Sequence, residues 1–427
     1  MIPLDFLNQI AAQKGVSKSE LAALELAVEG HTTAVIGEQL GISGDAARKR
    51  LSEVYQKFGI VGKGPVKLKK LQQLLVTRYQ QALEGGALST QFPASKPVDW
   101  GNAPDVSVFY GRTSELAKLE KRIVEEGHRL LNIYGMAGMG KTTLAVKLAQ
   151  RLQPHFERVF WRSLYHAPLL TDLLSELIHF LEPSSPNHLP ASEPEQIDWV
   201  MQYLQQHRCL LVLNGMEAFS QSGNLAGQYR RNYENYGQWI RLLGVIRHKA
   251  CVLITSQAKN SEVALLEGKT VSVSSFKLLG LDFEAATALL RDKGLTGEKK
   301  WPYLITAYAG NPMMLKLVAE TIKEVFDGNV RDFLDNSLTT RDVHNFIERI
   351  LDRTSSLEQQ ILYVLSAQSA GMPFKQLDTR LDSVSTHELI DALASLKKRS
   401  LIESGEQGFI LLPLIKEVTQ RMMAAEA

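Results

Sequence analysis

The sequence predicts a multidomain α/β protein organised around a parallel β-sheet. Its 427 residues exceed the roughly 250–300 at which a single hydrophobic core stops growing, so several domains are expected. In the middle of the chain, short apolar runs alternate with helical patterns, as in strands that are covered by helices on both faces. A glycine-rich segment, GMAGMGKTT, follows one of these runs. Outside this region the patterns are mainly helical, which predicts one helical domain N-terminal to the sheet domain and further helical domains C-terminal to it.

The N-terminal segment shows short helical patterns that are separated by glycine. TTAVIGEQLGIS is typical of a helix that ends at Gly41, and Ser43 is placed to cap a second helix. In the second helix the apolar residues recur at helical spacing, at Ala47, Leu51, Val54 and Phe58. This order predicts a helix-turn-helix domain at residues 1–82.

A basic cluster coincides with the second of these helices. From Arg48 to Lys70 there are eight Lys or Arg residues and one acidic residue, a local balance of +7 in a chain whose net charge is +2. Such an excess indicates a polyanionic partner, although a solvated helix face is the alternative. The predicted DNA contacts are Arg48, Lys49 and Arg50 from the recognition helix, with Lys67, Lys69 and Lys70 for the phosphate backbone.

Residues 84–107 are rich in Gly, Pro and Ser and have no helical period, so a linker is predicted at 83–107. Four strands are predicted after it, in LLNIYG, RVFWRSL, CLLVLN and CVLITS, with helices between them. Cys209 and Cys251 open two of these strands and are interpreted as reduced core residues. The predicted domains are a parallel-sheet domain at 108–274, a helical domain at 275–350 and a winged-helix domain at 351–427, whose final hairpin is LIESGEQGFILL.

The segment from Gly135 to Thr143 fits the pattern G-x-x-x-x-G-K-[ST] in the required position between a strand and a helix. Its glycines allow backbone amides to turn toward phosphate oxygens, and the helix N-terminus adds positive partial charge. Lys141 is predicted to reach the β/γ-phosphates, and the Thr142 hydroxyl to ligate Mg²⁺. The predicted nucleotide-binding residues of this segment are Gly135, Gly138, Gly140, Lys141, Thr142 and Thr143.

Five stretches together resemble one family: DWGNAPDVSVFYGRTSELAKLE, HRCLLVLNGME, CVLITSQ, YAGNPMMLKLVA and ETIKEVFDGNV. From about Asp99 onward the chain resembles the NB-ARC class of STAND P-loop NTPases, in particular the multidomain NB-ARC proteins of cyanobacteria. The resemblance implies that Gly111 and Arg112 lie beside the nucleotide and that Pro312 packs on the adenine. A helix-cap turn and an interhelical turn are the alternatives. Residues 1–60 resemble the helix-turn-helix of LuxR-type regulators.

The sequence departs from this family at the residues that act on the γ-phosphate. Asn214 stands where the family has an aspartate that helps to hold Mg²⁺, and Gln257 stands where it has an arginine that meets the γ-phosphate. No catalytic residue is therefore predicted, and Mg²⁺ binding is expected to be weakened. Glu217 is a candidate substitute, although its position favours the loop surface. The histidine that contacts ADP in plant relatives is missing from Leu411, Leu412 and Pro413.

These residues predict a protein that binds ADP or ATP and hydrolyses it poorly or not at all. A slow but genuine ATPase and an empty scaffold are the alternatives. The leading functional hypothesis is a transcriptional regulator that binds DNA as a dimer or higher oligomer. The alternative is an adaptor that binds proteins through both helical modules. The resemblance implies that the winged helix packs against its own nucleotide domain.

The expected input to such a switch is the nucleotide, the N-terminal module or an unidentified protein sensor. Relatives often carry a β-propeller or other repeats after the winged helix, and no repeat follows it in this sequence, which ends at Ala427. No run approaches the roughly 18 apolar residues that a membrane helix requires. The N-terminus also lacks the pattern of an export signal, so a cytoplasmic location without a membrane partner is expected.

Overall fold

The computed structural model describes residues 14–28, 32–60, 96–183, 189–268, 272–368 and 370–426, together with residues 7, 10, 11, 67, 70, 71, 74 and 75. The chain divides into two compact units, Met1–Ser95 and Lys96–Ala427. Each unit has its own hydrophobic core. Of the residues predicted to contact DNA, Lys69 lies outside the described residues.

The first unit contains three helices among its described residues, and the second and third of them are the two predicted from the sequence. They are α1 (Lys18–Val28), α2 (Thr33–Gln39) and α3 (Gly44–Lys57). Gly41, in the turn between α2 and α3, has a φ of 64°, a conformation that favours glycine. Ser43 caps α3 by accepting a hydrogen bond from the backbone N–H of Ala46 at 3.2 Å. The predicted apolar stripe of α3 is buried at Ala47, Leu51, Val54 and Phe58.

One residue of the basic cluster has a structural role in this unit. Lys57, the last residue of α3, forms a 2.6 Å ion pair with the buried carboxylate of Glu20 on α1. The hydrogen bond from Lys57 lowers the pKa of Glu20 from 4.5 to about 2. Because the folded pKa is lowered, the pair stabilises the unit above pH 4.5, and this stabilisation is lost as the pH falls toward 2.

Six parallel strands form the sheet of the second unit. They are β1 (Val98–Asp99), β2 (Leu130–Tyr134), β3 (Arg158–Ser163), β4 (Cys209–Asn214), β5 (Cys251–Ser256) and β6 (Val273–Lys277). Their spatial order is β1-β3-β4-β5-β2-β6. The four predicted strands, β2 to β5, are confirmed and form the centre of the sheet. Since β5 lies between β4 and β2, Asn214 at the end of β4 is the neighbour of Thr255 on β5.

Helices cover both faces of this sheet. They are α4 (Thr113–Val124), α5 (Lys141–Leu152), α6 (Leu170–Leu181), α7 (Glu193–Gln206), α8 (Glu234–Val245) and α9 (Ser261–Leu266). Consecutive strand residues enter opposite cores, as Leu130 and Leu131 do. Cys209 and Cys251 are free and buried, as predicted. Burial raises the pKa of each thiol to about 12, so both remain protonated at neutral pH.

The remaining helices lie C-terminal to the sheet. The first group is α10 (Phe283–Asp292), α11 (Trp301–Ala307), α12 (Pro312–Val325), α13 (Val330–Asn336) and α14 (Arg341–Leu351). The second group is α15 (Ser356–Ser366), α16 (Phe374–Arg380) and α17 (Thr386–Lys398), followed by the antiparallel hairpin β7 (Ile402–Gly405) and β8 (Gly408–Leu411) and by α18 (Pro413–Glu426).

Two predicted boundaries do not match the elements of the structure. Strand β1 and the buried residue Val106 fall within the predicted linker at 83–107. Strand β6 pairs with β2 and crosses the boundary predicted between residues 274 and 275. Both strands lie at the edges of the sheet, where β1 has only two residues and β6 is fully buried only at its first residue. Neither therefore produces the apolar run by which a buried strand is predicted.

Among the described residues, no helix has both the length and the apolar character that crossing a membrane requires.

Two capping boxes in the C-terminal helices provide a matched test of a buried charge. Ser355 with Glu358 begins α15, and Ser385 with Glu388 begins α17. Glu358 is fully buried, and its Oε1 also accepts hydrogen bonds from Ser395 Oγ (2.6 Å) and Arg399 Nε (3.2 Å).

We expect Glu358→Gln to lower the free energy of unfolding of this region by about 3 kcal/mol, because it leaves the guanidinium of Arg399 without its carboxylate. Glu388→Gln changes the same capping position where the carboxylate is exposed, and its effect should be much smaller. Hydrogen exchange of the α15 and α17 amides measures both changes. Equal losses in the two variants would contradict a special contribution from the buried pair.

Candidate functional site

The glycine-rich segment forms a loop between β2 and α5, at the carboxyl edge of the sheet. Gly138 and Gly140 have φ values of 81° and 87°. A Cβ atom on Gly138 would lie 2.7 Å from both Asn311 Oδ1 and Met313 Cβ, so a side chain cannot be accommodated there. A glycine loop that leads into a helix N-terminus presents backbone amides to an oxyanion. The backbone therefore has the form that phosphate binding requires.

Lys141, the first residue of α5, folds back over this loop. Its side chain is only 8% exposed, and Nζ donates hydrogen bonds to the carbonyl oxygens of Gly135 (2.8 Å) and Met136 (3.0 Å). Burial lowers the pKa of Lys141, and the negative charge of Glu217 opposes this change. Because an ammonium group has three N–H donors, one of them remains available to a ligand beside the loop.

Asn214 holds two hydroxyl groups at the end of β4. Its Oδ1 accepts hydrogen bonds from Thr142 Oγ1 (2.8 Å) and Thr255 Oγ1 (2.9 Å). An amide oxygen can position the Thr142 hydroxyl as a carboxylate would, but it contributes no negative charge toward a cation. The next residue, Gly215, has a φ of 96° and donates its N–H to Thr255 Oγ1 at 3.0 Å. Any side chain at position 215 would therefore strain the backbone.

Glu217 does not lie on the loop surface, contrary to our interpretation of the sequence. It is half-buried in the 3₁₀ turn Met216–Phe219 and lines the cavity beside the phosphate loop. Gln257 Nε2 lies 3.4 Å from Glu217 Oε1, while Oε2 is buried without a hydrogen-bond partner. The turn places this carboxylate near Lys141, whose pKa its charge affects.

A cavity of about 430 Å³ lies between the phosphate loop and the helices that follow the sheet. The predicted residues that line it are Gly138, Gly140, Lys141, Thr142, Thr143 and Pro312. On the helical side, Asn311 is fully buried, caps α12 with its Oδ1 and donates from Nδ2 to the carbonyl oxygen of Ala137 at 2.9 Å. Asn311 thus joins the phosphate loop to the helix that carries Pro312.

Arg112 supports the phosphate loop from behind. Its side chain is 5% exposed and pairs with Glu115 at 2.7 Å. Nη2 donates to the carbonyl oxygens of Met139 (3.2 Å) and Leu279 (2.7 Å). Gly111, Arg112 and Gly135 are not among the residues that line the cavity. Contact of Gly111 and Arg112 with a nucleotide stays a prediction, whereas the contact between Arg112 and the loop is direct.

The residues predicted to contact DNA differ in how far they are engaged within their own unit. Arg48 pairs with Asp45 at 2.9 Å, while Lys49 is exposed. Arg50 Nη1 donates to the Ser19 carbonyl oxygen at 3.4 Å. Lys67 Nζ lies 5.8 Å from the centroid of the Tyr55 ring, and Lys70 is exposed.

Three polar or charged residues at the site were not predicted from the sequence. Asn311 contacts the loop from α12, Lys316 lines the cavity one turn further along that helix, and Arg353 donates from Nη2 to the Glu217 carbonyl oxygen at 2.7 Å. Asn311 and Pro312 together show the N-cap and N1 signals of a helix, which could have identified the helix but not its contact with the loop. No sequence signal marks Arg353.

Residues 112–216 match the model of the NB-ARC domain. This segment contains the phosphate loop and ends just after β4, so the central part of the chain is similar to an NB-ARC domain, and its parallel sheet is typical of the P-loop NTPase fold.

Individual proteins are similar to this chain over most of its length. A WD repeat-containing protein of Nostoc is 32% identical over 441 residues, covering 96% of this chain and 35% of the relative, so the chain spans about a third of the curated relative that it matches. The Walker-type ATPase of Pyrococcus abyssi has a TM-score of 0.50 at 14% identity, covering 73% of this chain and 96% of that structure. A STAND protein of Pyrococcus horikoshii with a tetratricopeptide repeat sensor has a TM-score of 0.40 at 19% identity, covering 76% of this chain and 44% of that structure.

Proposed function

We propose that this protein is a nucleotide-dependent switch of the STAND type that retains ADP or ATP and hydrolyses ATP poorly. The observation that carries this proposal is the contrast within one cavity. The glycine loop, Lys141 and the Thr142 hydroxyl are in place, whereas Asn214 and Gln257 bring no charge to the cavity. In phosphoryl transfer, loss of an arginine that stabilises the transition state lowers the rate by roughly 10³–10⁵. Occupancy of the site would therefore persist longer than in an efficient ATPase.

Mg²⁺ would bind through the Thr142 hydroxyl and, by way of water, Asn214. The two side chains share a hydrogen bond, which favours a common ligand. Hydroxyl and amide oxygens suit Mg²⁺, but the absence of a carboxylate at position 214 weakens the site. Glu217 supplies the nearest carboxylate that lines the cavity.

A chain of contacts offers a route from the nucleotide cavity to the C-terminal helices. Glu217 lines the cavity, and Arg353 holds its carbonyl oxygen from the segment between α14 and α15. Arg399, at the end of α17, donates from Nη2 to the Asn224 carbonyl oxygen in the loop that follows Glu217. The Lys259 N–H donates to the carbonyl oxygen of Lys398 at 3.0 Å. We propose that these C-terminal elements form a winged-helix domain whose position depends on the nucleotide.

The direct test is to identify the nucleotide that remains bound through purification, by native mass spectrometry of the full chain. We expect ADP or ATP at about one molecule per chain. Exchange for the other nucleotide should then change hydrogen exchange in α15 and α17, and Arg353→Gln should reduce this change while nucleotide is still bound. The same amide protection in both nucleotide states would contradict the switch, and the absence of any bound or exchangeable nucleotide would contradict the binding site.

We further propose that the N-terminal unit is a helix-turn-helix domain that binds DNA, and that the protein acts as a transcriptional regulator in dimers or larger oligomers. Supporting this are the capped helices α2 and α3 and the exposure of Lys49 on α3. Charge contacts of this kind make binding steeply dependent on salt.

In a mobility-shift assay with the full chain, Lys49→Gln combined with Arg48→Gln should weaken DNA binding by about tenfold or more. Lys118→Gln is a suitable control because Lys118 is exposed and lies in the second unit. Lys57→Gln is not, because Lys57 stabilises the N-terminal unit through its ion pair. If the protein does not bind DNA, or if salt does not affect the binding, the hypothesis of a transcriptional regulator is contradicted.

A slow but genuine ATPase is favoured by one observation. The buried and unpartnered Oε2 of Glu217 belongs to a carboxylate that lines the cavity, as a residue that positions an attacking water would. If Glu217 acts in this way, Glu217→Gln should abolish phosphate release without weakening nucleotide binding. Phosphate release that is already at background in the unmodified protein would exclude this alternative.

A further inference from the structure

A second cavity opens at the amino edge of the sheet, at the other end of the strands from the phosphate loop. It has a volume of about 330 Å³. A basic residue stands before each of the three neighbouring strands that begin at this edge: Arg129 before β2, Arg208 before β4 and Lys249 two residues before β5. The residues that line the cavity include no Asp or Glu. Three cations therefore converge on a space that contributes no carboxylate of its own.

Each of these cations keeps hydrogen-bond donors available. Arg129 Nη2 donates to the Gly244 carbonyl oxygen at 3.1 Å, and its Nε is buried without a partner. Lys249 Nζ donates to the carbonyl oxygen of Gln206 at 2.8 Å, which uses one of its three donors. The guanidinium of Arg208 lies 5.3 Å from the centroid of the Phe156 ring. These contacts leave N–H donors on Lys249 and Arg208 for an anion.

His248 is a buried polar residue beside the cavity. It is 6% exposed and lines the cavity; Nε2 lies 2.8 Å from the Leu243 carbonyl oxygen, while Nδ1 is buried without a hydrogen-bond partner. Burial lowers the pKa of this histidine; hydrogen bonding with the backbone of Leu243 and Ala250 opposes this change, and the charge of Arg129 adds to it.

The charges around the cavity are mostly positive, and the carboxylate of Glu126 lies 3.8 Å from Nδ1 of the lining residue His128. Burial lowers the pKa of Arg129, and the nearby positive charge of Arg247 lowers it further. The nearby carboxylate of Glu157 is already engaged. Its Oε1 accepts a hydrogen bond from the backbone N–H of Arg208 (3.1 Å), and its Oε2 pairs with Nδ1 of His207 (2.9 Å). Within the described part of the chain, no ion pair involves Arg129, Arg208 or Lys249.

We propose that this cavity binds the phosphate group of a small phosphate monoester. Arginine and lysine together are typical of phosphate recognition, and Arg208 can donate from two nitrogens at once. The volume lies within the roughly 300–1,000 Å³ of small-molecule sites, which leaves room for an organic group beside the phosphate. Because the site is at the amino edge, it is separate from the nucleotide cavity at the carboxyl edge and does not depend on the function proposed for that cavity.

The test uses the full chain with Lys141→Ala, so that binding at the phosphate loop is weakened. Inorganic phosphate and ribose 5-phosphate are titrated at constant ionic strength, with ribose as the uncharged reference. We expect both phosphates to bind, the monoester more tightly, and ribose not to bind. Adding Arg208→Gln and Lys249→Gln should weaken phosphate binding by roughly tenfold or more, since hydrogen bonds to charged groups are lost. The pair Lys118→Gln and Lys323→Gln removes the same charge from exposed positions elsewhere and should have little effect.

The titration of His248, followed by NMR, reports on the unsubstituted cavity. The His248→Gln variant serves only to assign the signal. Phosphate should raise the pKa of this histidine, because a nearby anion favours the protonated ring. The proposal is overturned if neither phosphate binds in the Lys141→Ala protein. It is equally overturned if the double substitution in the cavity and the double substitution at the exposed control positions weaken phosphate binding alike. A titration of His248 that phosphate leaves unchanged would also overturn it. Equal affinity for the two phosphates would identify free phosphate as the ligand and would exclude the monoester.

Discussion

Lys141→Ala should weaken binding of ATP and ADP by about 100-fold, as the loss of a charge-assisted hydrogen bond to phosphate requires. In the structure the Lys141 ammonium is held by two carbonyl oxygens of the loop, so it is already positioned before any ligand binds. A side chain fixed in this way loses little conformational freedom when a phosphate arrives. Equilibrium titration with a fluorescent nucleotide measures the effect.

Lys147→Ala is the matched control for this variant, since Lys147 lies on the same helix and does not line the cavity. It should bind nucleotide as the unmodified protein does. Circular dichroism of both variants shows whether the total helical content is retained. Unchanged affinity in Lys141→Ala would mean that the loop holds phosphate through its backbone alone, without a contribution from the lysine.

Residues that act within one element were predictable from the sequence. Ser43 and the apolar stripe of α3 follow from capping and helical period, and the loop from Gly135 to Thr143 follows from a spacing that a strand and a helix enclose. Each of these signals depends on neighbours within a few positions in the chain, and each survives in the structure.

Residues that act between elements were not predictable in the same way. Glu217 was expected on a surface because its loop has no period, yet the 3₁₀ turn and Gln257 of the next strand's loop bring it to the cavity. Arg353 is 136 positions from the carbonyl oxygen that it holds. A position of Arg112 near the nucleotide stays a prediction, whereas the engagement of its guanidinium by Glu115 and by backbone carbonyl groups of two distant segments was not predicted. Such contacts depend on how helices pack, which local patterns do not specify.

Asn214→Asp combined with Gln257→Arg should raise the rate of ATP hydrolysis by about tenfold or more, up to the roughly 10³ that one transition-state arginine can contribute. An aspartate at position 214 can still accept the hydrogen bonds of Thr142 and Thr255, and it adds the charge that Mg²⁺ prefers. An arginine at position 257 would lie beside Glu217, which now accepts a weak 3.4 Å contact from Gln257. Steady-state phosphate release at saturating Mg²⁺ and ATP measures the gain.

The single variants separate the two effects. Asn214→Asp alone should make nucleotide affinity depend more strongly on Mg²⁺. It should change the rate of hydrolysis little, because the γ-phosphate would still have no arginine beside it. Gln257→Lys in the Asn214→Asp background supplies the charge without the planar fork of a guanidinium, so its rate should fall between those of the single and double variants. If the double variant releases phosphate no faster than the unmodified protein, the uncharged residues at positions 214 and 257 are not what limits hydrolysis.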